Sequence, residues 1–83
     1  MKVKIFISEI YRIENPNIPP FQEIEIASGS VLDDSFLSFL RQKHPEIDFQ
    51  HTLIVINGAV VSDLNIKIQD GDKIYFFPPI MGG

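Results

Sequence analysis

The chain has 83 residues, no cysteine and a formal net charge of −4 at pH 7, which leaves room for one domain and excludes both a disulfide framework and a cysteine nucleophile. The acidic balance disfavours nucleic acid as a partner, and no apolar run approaches the roughly 20 residues needed to cross a bilayer. We therefore expect one soluble, cytoplasmic domain that binds neither nucleic acid nor a membrane.

The first part of the chain predicts two antiparallel strands joined by a long loop. Apolar and polar side chains alternate over Lys2–Ile7 and again over Glu23–Ala27, as in strands with one buried face. Between them, Ser8–Phe21 contains three prolines, which break regular elements. We predict a loop there, continuing the first strand irregularly through Ile10 and Ile13.

One amphipathic helix is predicted after the second strand. Ser30 followed by Asp33 is a helix-start signal, and His44-Pro45 is a stop signal. Asp33 and Asp34 fall in the first turn, where the helix dipole accounts for two acidic residues without a catalytic role. The predicted apolar stripe has helical spacing and consists of Leu32, Phe36, Phe39 and Leu40.

The second half of the chain predicts three more strands. The apolar run Leu53–Ile56 leads into Asn57-Gly58, a strong tight-turn dipeptide, and Ala59–Val61 returns as a short strand. Asp70-Gly71-Asp72 is another turn, and Lys73–Phe77 alternates as the last strand. This element order predicts an α+β protein of the β-grasp type. In that fold a mixed four- to five-stranded sheet wraps around one main helix, with the first and last strands side by side at its centre.

Residues 1–77 are expected to form this domain, and residues 78–83 a flexible tail that leaves from the middle of the sheet. Pro78-Pro79 favours a stiff, extended backbone, so the tail can reach roughly 20 Å at about 3.3 Å per residue. Gly82-Gly83 has no Cβ and can thread a channel too narrow for other residues. The tail is therefore predicted to deliver the Gly83 carboxylate into another protein's active site, the plain alternative being a disordered chain end.

Strand alternation places Phe6, Tyr75 and Phe77 on the outer face of the two central strands. An aromatic group of this size is costly to leave in water, so we interpret it as a docking patch for a partner. The alternative is that the long loop folds over the aromatic side chains and buries them as core, with Tyr11, Pro19, Pro20 and Phe21.

Other candidate sites are weaker. His44 and His51 have no third ligand in an obvious register, so we expect solvated histidines and no metal site. Asp70 and Asp72 lack the further oxygen ligands of a calcium loop. Because no set of nucleophile, base and orienting residue is visible, we do not expect a self-contained enzyme.

The most specific motif is Asp70-Gly71-Asp72, a strand, Phe77-Pro78-Pro79, two residues and Gly82-Gly83. In this combination the sequence resembles the MoaD/ThiS family of ubiquitin-like sulfur carriers, and within it the small subunits of molybdopterin synthase. Earlier segments resemble the family's first strand, its helix start and its hairpin, in that order: Lys2–Ile7, Gly29-Ser30 and Val55–Gly58.

This resemblance implies a carrier that binds no cofactor itself. A ubiquitin-activating-like adenylyltransferase would use ATP to adenylate the carboxylate of Gly83, which would then become a thiocarboxylate. In the molybdenum or tungsten cofactor pathway, the tail would enter the large subunit of molybdopterin synthase and deliver sulfur to a pterin precursor. Phe6, Val60 and Phe77 match apolar positions of the family that contact these partners. The residues that would thread the channel are Pro78, Pro79, Ile80, Met81 and Gly82.

Three alternatives remain open. The same activated terminus could be captured by a lysine amine, which would make the protein a ubiquitin-like modifier. The sulfur could instead serve another pathway, such as thiamine synthesis or tRNA thiolation, although Phe77-Pro78-Pro79 argues against the thiamine-thiazole carriers. The third alternative is a β-grasp interaction module with an inert tail.

Overall fold

A five-stranded sheet forms the centre of the computed structural model, which describes residues 1–61 and 63–79. The elements in chain order are β1 (Lys2–Ile7), α1 (Glu9–Glu14), β2 (Phe21–Glu25), β3 (Val31–Leu32), α2 (Asp34–Lys43), a 3-10 helix (Phe49–His51), β4 (Leu53–Ile56), β5 (Ala59–Val60), β6 (Ile66–Lys67) and β7 (Lys73–Phe77). The strand order is β2-β1-β7-β4-β5, with β3 and β6 in a separate ladder. β1 and β7 are parallel neighbours, and the other pairs are antiparallel. This is the α+β, ubiquitin-like β-grasp fold that the sequence predicted.

The core lies between the inner face of the sheet and α2. Ile74 and Phe76 of β7 are fully buried there, as is Leu40 of α2. Phe49 of the 3-10 helix packs edge-on against Phe76, with ring centroids 5.0 Å apart. Burying a side chain of this size stabilises the fold by about 1.5–3 kcal/mol relative to leaving it exposed. The central strand that leads to the tail is therefore anchored in the hydrophobic core.

Three buried isoleucines lie outside the regular elements. Ile18, Ile47 and Ile68 are between 1% and 4% exposed and belong to the same core cluster. Each occupies a loop or turn, where hydrophobic periodicity carries no signal. Sequence patterning therefore missed this part of the core.

The segment predicted as a loop begins with a helix, so the expectation that the first strand continues through Ile10 and Ile13 is wrong. Ser8 caps α1, since its hydroxyl oxygen accepts a hydrogen bond from the N–H of Ile10 at 3.3 Å. Asn15-Pro16 ends the helix, because the residue before a proline disfavours helical geometry. Tyr11 packs against the core, whereas Ile10 and Ile13 are 62% and 73% exposed. The prolines of this segment all follow the helix and do not disturb it.

The main helix begins later than predicted. Its N-cap is Asp33 and not Ser30, because the Asp33 carboxylate accepts a hydrogen bond from the N–H of Phe36 at 3.0 Å. Val31 and Leu32, expected inside the helix, form β3 and pair with β6. No pattern in the sequence indicated this short, non-local ladder. The predicted end at His44-Pro45 is confirmed.

The buried side of α2 also differs from the predicted stripe. Phe36 and Leu40 are buried as expected, but Leu37 joins them and Phe39 is 39% exposed. Leu32 is buried from β3 rather than from the helix. The apolar residues of α2 cover more of its circumference than the sheet can bury, so the packing direction decides which of them face the core.

The remaining strands agree with the sequence apart from the two ends of β2 and the end of β5, which was expected to reach Val61. β4 and β5 flank the Asn57-Gly58 turn, whose φ angles of 50° and 87° are typical of a tight hairpin. β7 has the predicted bounds. β2 covers Phe21–Glu25 instead of Glu23–Ala27, because pairing with β1 begins at Phe21.

Candidate docking face and tail

An apolar row crosses the outer face of the whole sheet. Phe6 of β1 is in register with Phe21 of β2 on one side and with Tyr75 of β7 on the other. Tyr75 is paired in turn with Val55 of β4, and Val55 with Val60 of β5. Paired positions project from the same face of a sheet. One side chain from each strand therefore contributes to what we call the outer row: Phe21, Phe6, Tyr75, Val55 and Val60.

The aromatic side chains of this face are stacked against one another. Phe6 and Tyr75 stack with centroids 4.4 Å apart and an interplanar angle of 12°. Phe77, two residues further along β7, lies parallel to Tyr75 with ring centroids 6.2 Å apart. Phe21 is tilted against Phe6 at 5.1 Å. Such pairs contribute about 0.5–1.5 kcal/mol each beyond the burial of their area. The rings therefore present a pre-organised surface.

The outer face remains accessible. Val60 is 61% exposed, Phe21 45% and Phe77 38%. The aromatic side chains do not form a buried core under the long loop. Phe6 and Tyr75 are half-buried, Phe21 at the end of that segment packs beside Phe6 as a member of the row, and Tyr11 packs against the core. The structure thus brings the four predicted patch residues together on one open face, and their docking role stays a prediction: Phe6, Val60, Tyr75 and Phe77.

Lysines border the outer row towards the start of the central strands. Lys4 and Lys73 are register partners on β1 and β7. Lys2 lies nearby, with its Nζ 3.9 Å from Oε1 of Glu23. An exposed ion pair of this kind contributes only about 0–1 kcal/mol. These residues therefore matter more for the charge pattern around the apolar row than for stability.

The base of the tail lies at the centre of the sheet. β7 runs between β1 and β4, and the chain continues from Phe77 into Pro78-Pro79. The N–H of Ser8, which follows β1, donates a hydrogen bond to the carbonyl of Phe76 at 3.0 Å. The end of β1 and the base of the tail are therefore held side by side. The rest of the predicted tail lies outside the described residues: Ile80, Met81, Gly82 and Gly83.

Asp72, in the turn before β7, joins three segments through its side chain. The Asp72 carboxylate is nearly buried and accepts hydrogen bonds from Nδ2 of Asn57 at 2.9 Å and from the N–H of Gln69 at 2.8 Å. Oδ1 of Asn57 in turn accepts from the N–H of Lys73 at 3.1 Å. The hairpin turn and the first residue of β7 are thereby locked together. The interaction is structural and sets the position from which β7 runs towards the tail.

Asp70, the other acidic residue of that turn, is exposed and contacts the start of β1. Oδ1 of Asp70 accepts a hydrogen bond from the N–H of Lys2 at 2.7 Å. Gly71 donates its N–H to the carbonyl of Lys2 at 2.7 Å and has a φ of +84°, which favours glycine. This turn thus also holds the start of β1 against β7.

The two histidines lie in different environments. Nε2 of His44 is 2.8 Å from the side-chain nitrogen of Gln22 and the ring is largely buried, so the expectation of a solvated side chain is wrong for His44. His51 is exposed, and its hydrogen bond to Asp48 holds the pKa of that carboxyl below its usual value. Burial, followed by the charge of Asp48, raises the pKa of Tyr11. None of these residues borders the outer row.

Two depressions of about 200 and 250 Å³ lie beside the start of α2 in the described part of the chain. Both are smaller than the roughly 300–1,000 Å³ of typical small-molecule sites. Within residues 1–61 and 63–79, no three acidic or histidine side chains are grouped so as to hold a metal ion. Over the same residues, no helix is long and apolar enough to span a bilayer.

A mixed sheet wrapped around one helix, with a proline-stiffened segment leaving its central strand, defines a ubiquitin-like β-grasp protein. The sequence matches the ThiS family over residues 11–83, and the chain belongs to that family. No curated protein sequence matches it.

Solved structures share the fold. A putative molybdopterin converting factor subunit 1 from Pyrococcus furiosus superposes with a TM-score of 0.76 at 22% identity, covering 96% of this chain and 99% of that one. SAMP1 from Haloferax volcanii gives 0.74 at 16% identity, with both chains fully covered. A chain from the Helicobacter pylori complex of molybdopterin-converting factor subunits 1 and 2 gives 0.57 at 24% identity, again with full coverage. At these identities the likeness shows the fold, which sulfur carriers of this family have in common with ubiquitin-like modifiers.

Proposed function

We propose that this protein is a sulfur carrier whose Gly83 carboxylate is adenylated, converted to a thiocarboxylate and used as the sulfur donor in molybdopterin biosynthesis. One observation carries the proposal: the ThiS match extends through Gly82-Gly83, and the proline pair before these glycines leaves from the central strand of the sheet. Two consecutive prolines make a stiff spacer, because the ring of each one fixes its φ angle.

The chemistry requires a leaving group because the negative charge of a carboxylate repels nucleophiles. An oxygen of the Gly83 carboxylate attacks the α-phosphate of ATP, which forms an acyl adenylate and releases pyrophosphate. A sulfur donor at the oxidation level of sulfide then attacks the acyl carbon and displaces AMP, leaving the thiocarboxylate. The catalytic groups for both steps belong to the adenylyltransferase. Gly83 is the substrate and the carried group, and the protein itself needs no bound cofactor.

The outer row is the proposed docking surface for the adenylyltransferase and for the large subunit of molybdopterin synthase. An apolar centre with a charged border is the usual anatomy of a protein interface, and the aromatic stack with its flanking lysines has both parts. In Helicobacter pylori, subunits 1 and 2 of the molybdopterin-converting factor form a complex. Because Phe77 directly precedes Pro78-Pro79, docking on this face would direct the tail into the partner.

Mass spectrometry of the intact protein tests the proposal. The protein is co-expressed with the adenylyltransferase of the same organism and a sulfur source, beside a variant that carries one additional residue after Gly83. We expect the oxygen-to-sulfur mass shift in the natural chain and none in the extended one, whose carboxylate is displaced from the catalytic position. A natural chain that stays unshifted with an active adenylyltransferase would overturn the proposal. Capture of a synthase large subunit by the intact chain would assign the pathway.

A ubiquitin-like modifier is the second candidate function. The fold that this chain shares with SAMP1, a small archaeal modifier protein, supports it in the same way as it supports the carrier. In this case a lysine amine attacks the acyl adenylate, displaces AMP and forms an isopeptide bond. Blots of a tagged chain would then show conjugates of higher mass that disappear when Gly83 is deleted. If no conjugates form under any growth condition, the modifier function is excluded.

A further inference from the structure

The hairpin turn between β4 and β5 contains the one asparagine of the chain that is followed by glycine, Asn57-Gly58. The backbone nitrogen after an asparagine can attack the side-chain carbonyl carbon, and glycine permits this most readily because no Cβ crowds its nitrogen. Both residues are exposed, so water and hydroxide reach the reacting atoms. The turn therefore carries a side chain that can lose ammonia spontaneously.

The side-chain amide of Asn57 is held at both of its ends. Its Nδ2 donates to Oδ1 of Asp72 at 2.9 Å, and its Oδ1 accepts from the N–H of Lys73 at 3.1 Å. The Asp72 carboxylate is nearly buried and is fixed in turn by the N–H of Gln69 at 2.8 Å. In the reaction the amide of Asn57 has to turn its carbonyl carbon towards the nitrogen of Gly58. The two hydrogen bonds resist that rotation.

We propose that Asn57 is a deamidation site that Asp72 protects in the folded domain, and that its conversion breaks the contact between the hairpin and β7. Hydroxide removes the proton from the nitrogen of Gly58, this nitrogen attacks Cγ of Asn57, and the side-chain nitrogen takes up a proton from water and leaves as ammonia. Water then opens the cyclic imide at either carbonyl, which leaves an aspartate or an isoaspartate at position 57. The reaction requires neither the tail nor the outer row.

The product cannot make the contacts of the natural side chain. A carboxylate at position 57 has no N–H to donate to Asp72, so two negative charges face each other where a hydrogen bond now joins the side chains. In the isoaspartate product the backbone also gains a methylene, which changes the geometry of the turn. The loss falls on the side chain that joins the hairpin to Lys73, the first residue of β7. Deamidation is therefore irreversible and lowers the stability of aged molecules.

A second asparagine provides an internal reference for the reaction. Asn65 also has a positive φ, 75° against 50° for Asn57, but it is followed by Ile66. The β-branched side chain of Ile66 is stiff and crowds the backbone nitrogen that would attack. Asn65 should therefore stay intact over the time in which Asn57 reacts, in the folded and in the unfolded chain.

Peptide mapping by mass spectrometry measures the rate of conversion of amide to acid at Asn57, at mildly alkaline pH. The chain unfolded in guanidinium chloride should deamidate about tenfold faster than the folded chain, the factor for losing one hydrogen bond to a charged group. Asp72→Ala should reach a similar rate while folded. Asp70→Ala is the matched control, because it removes the other carboxylate of the same turn, which bonds to Lys2, and should keep the natural rate.

A second destabilised variant separates local protection from general unfolding. Ile47→Ala removes a core side chain that is 1% exposed, and should lower the melting temperature at least as much as Asp72→Ala. Well below its melting temperature it should nevertheless keep the natural deamidation rate. If Ile47→Ala deamidates as fast as Asp72→Ala, Asn57 reacts through the unfolded state and the protective role of Asp72 is wrong.

Two further outcomes would overturn the inference. Equal rates at Asn57 in the folded and the unfolded natural chain would show that the two hydrogen bonds give no protection. Asn57→Asp copies one product of the reaction and should lower the melting temperature by about 4–8 °C, the shift for losing one such contact in a domain of this size. An unchanged melting temperature would contradict the loss of stability on deamidation.

Discussion

Phe77 and Phe39 are almost equally exposed, at 38% and 39%, but lie in different layers of the fold. Phe77 stands on the outer face of the sheet, parallel to Tyr75 and directly before the tail. Phe39 lies on α2, which covers the inner face, with Nζ of Lys43 5.4 Å from its ring centroid. The same side chain thus occurs once on the proposed docking face and once away from it.

This pair provides a controlled test of the docking face. Phe77→Arg should weaken binding to the synthase large subunit by about 2 kcal/mol, roughly 30-fold, because it places a charge in an apolar interface. Phe39→Arg should leave the affinity unchanged. Isothermal titration of each variant against the large subunit measures both. If the two variants bind the large subunit with equal affinity, Phe77 is not part of the interface.

The stack of Phe6 on Tyr75 should be measurable as a coupling energy. Urea unfolding of Phe6→Ala, Tyr75→Ala and the double variant should give a coupling of about 0.5–1.5 kcal/mol. The same cycle between Phe6 and Val60, which are separated by two strands of the row, should be additive. Additivity in both cycles would mean that the rings contribute only their separate burial.

The two aspartates of the turn before β7 should differ in their contribution to stability. Asp72→Ala leaves Nδ2 of Asn57 and the N–H of Gln69 without their acceptor, and should lower the free energy of unfolding by about 1–3 kcal/mol. Asp70→Ala removes one exposed hydrogen bond to Lys2 and should cost less than about 1 kcal/mol. Chemical denaturation of both variants compares them directly. A larger loss of stability in Asp70→Ala than in Asp72→Ala would contradict the structural role of the buried Asp72 carboxylate.

The contribution of the Asp48–His51 pair to the free energy of unfolding should depend on pH in the acid range. The hydrogen bond from His51 lowers the pKa of Asp48 from the ordinary 3.8. A carboxyl whose pKa is lower in the folded state stabilises the fold above its unfolded pKa, and this contribution is lost as pH falls through the folded value. The stability difference between the natural chain and His51→Ala should therefore shrink below about pH 3.8. An NMR titration should find the Asp48 pKa higher in His51→Ala, and an unchanged value would exclude the proposed cause.

The strands could be predicted from the sequence because their signals are local. Period-two alternation decided which residues of β1 and β7 are buried, and Asn57-Gly58 located the hairpin. Helix α1 was not predicted because its six residues are too few to show a clear helical period. The prolines that follow it also indicated a loop. The start of α2 was misplaced because Ser30 and Asp33 both carry capping side chains, and only the pairing of β3 with β6 selects Asp33.

The residues of the proposed docking face could be identified in part from the sequence. Phe6, Tyr75 and Phe77 followed from strand parity once the central pair was assigned, and Val60 followed from the family resemblance. Phe21 and Val55 were missed as members of the row, because their alignment depends on the register between strands. The continuity of the row across five strands is therefore a finding of the structure.

The sequence by itself determined which side chains of β1, β2 and β7 face the core, and it determined the chemical character of the tail. Side-chain alternation, proline stiffness and glycine freedom act over a few neighbouring residues. Only the tertiary structure decided that α1 stands beside the base of the tail and that one apolar row crosses every strand of the main sheet. Those relationships join segments far apart in the chain. Their register is set by the packing of the whole core against the sheet, which no local pattern encodes.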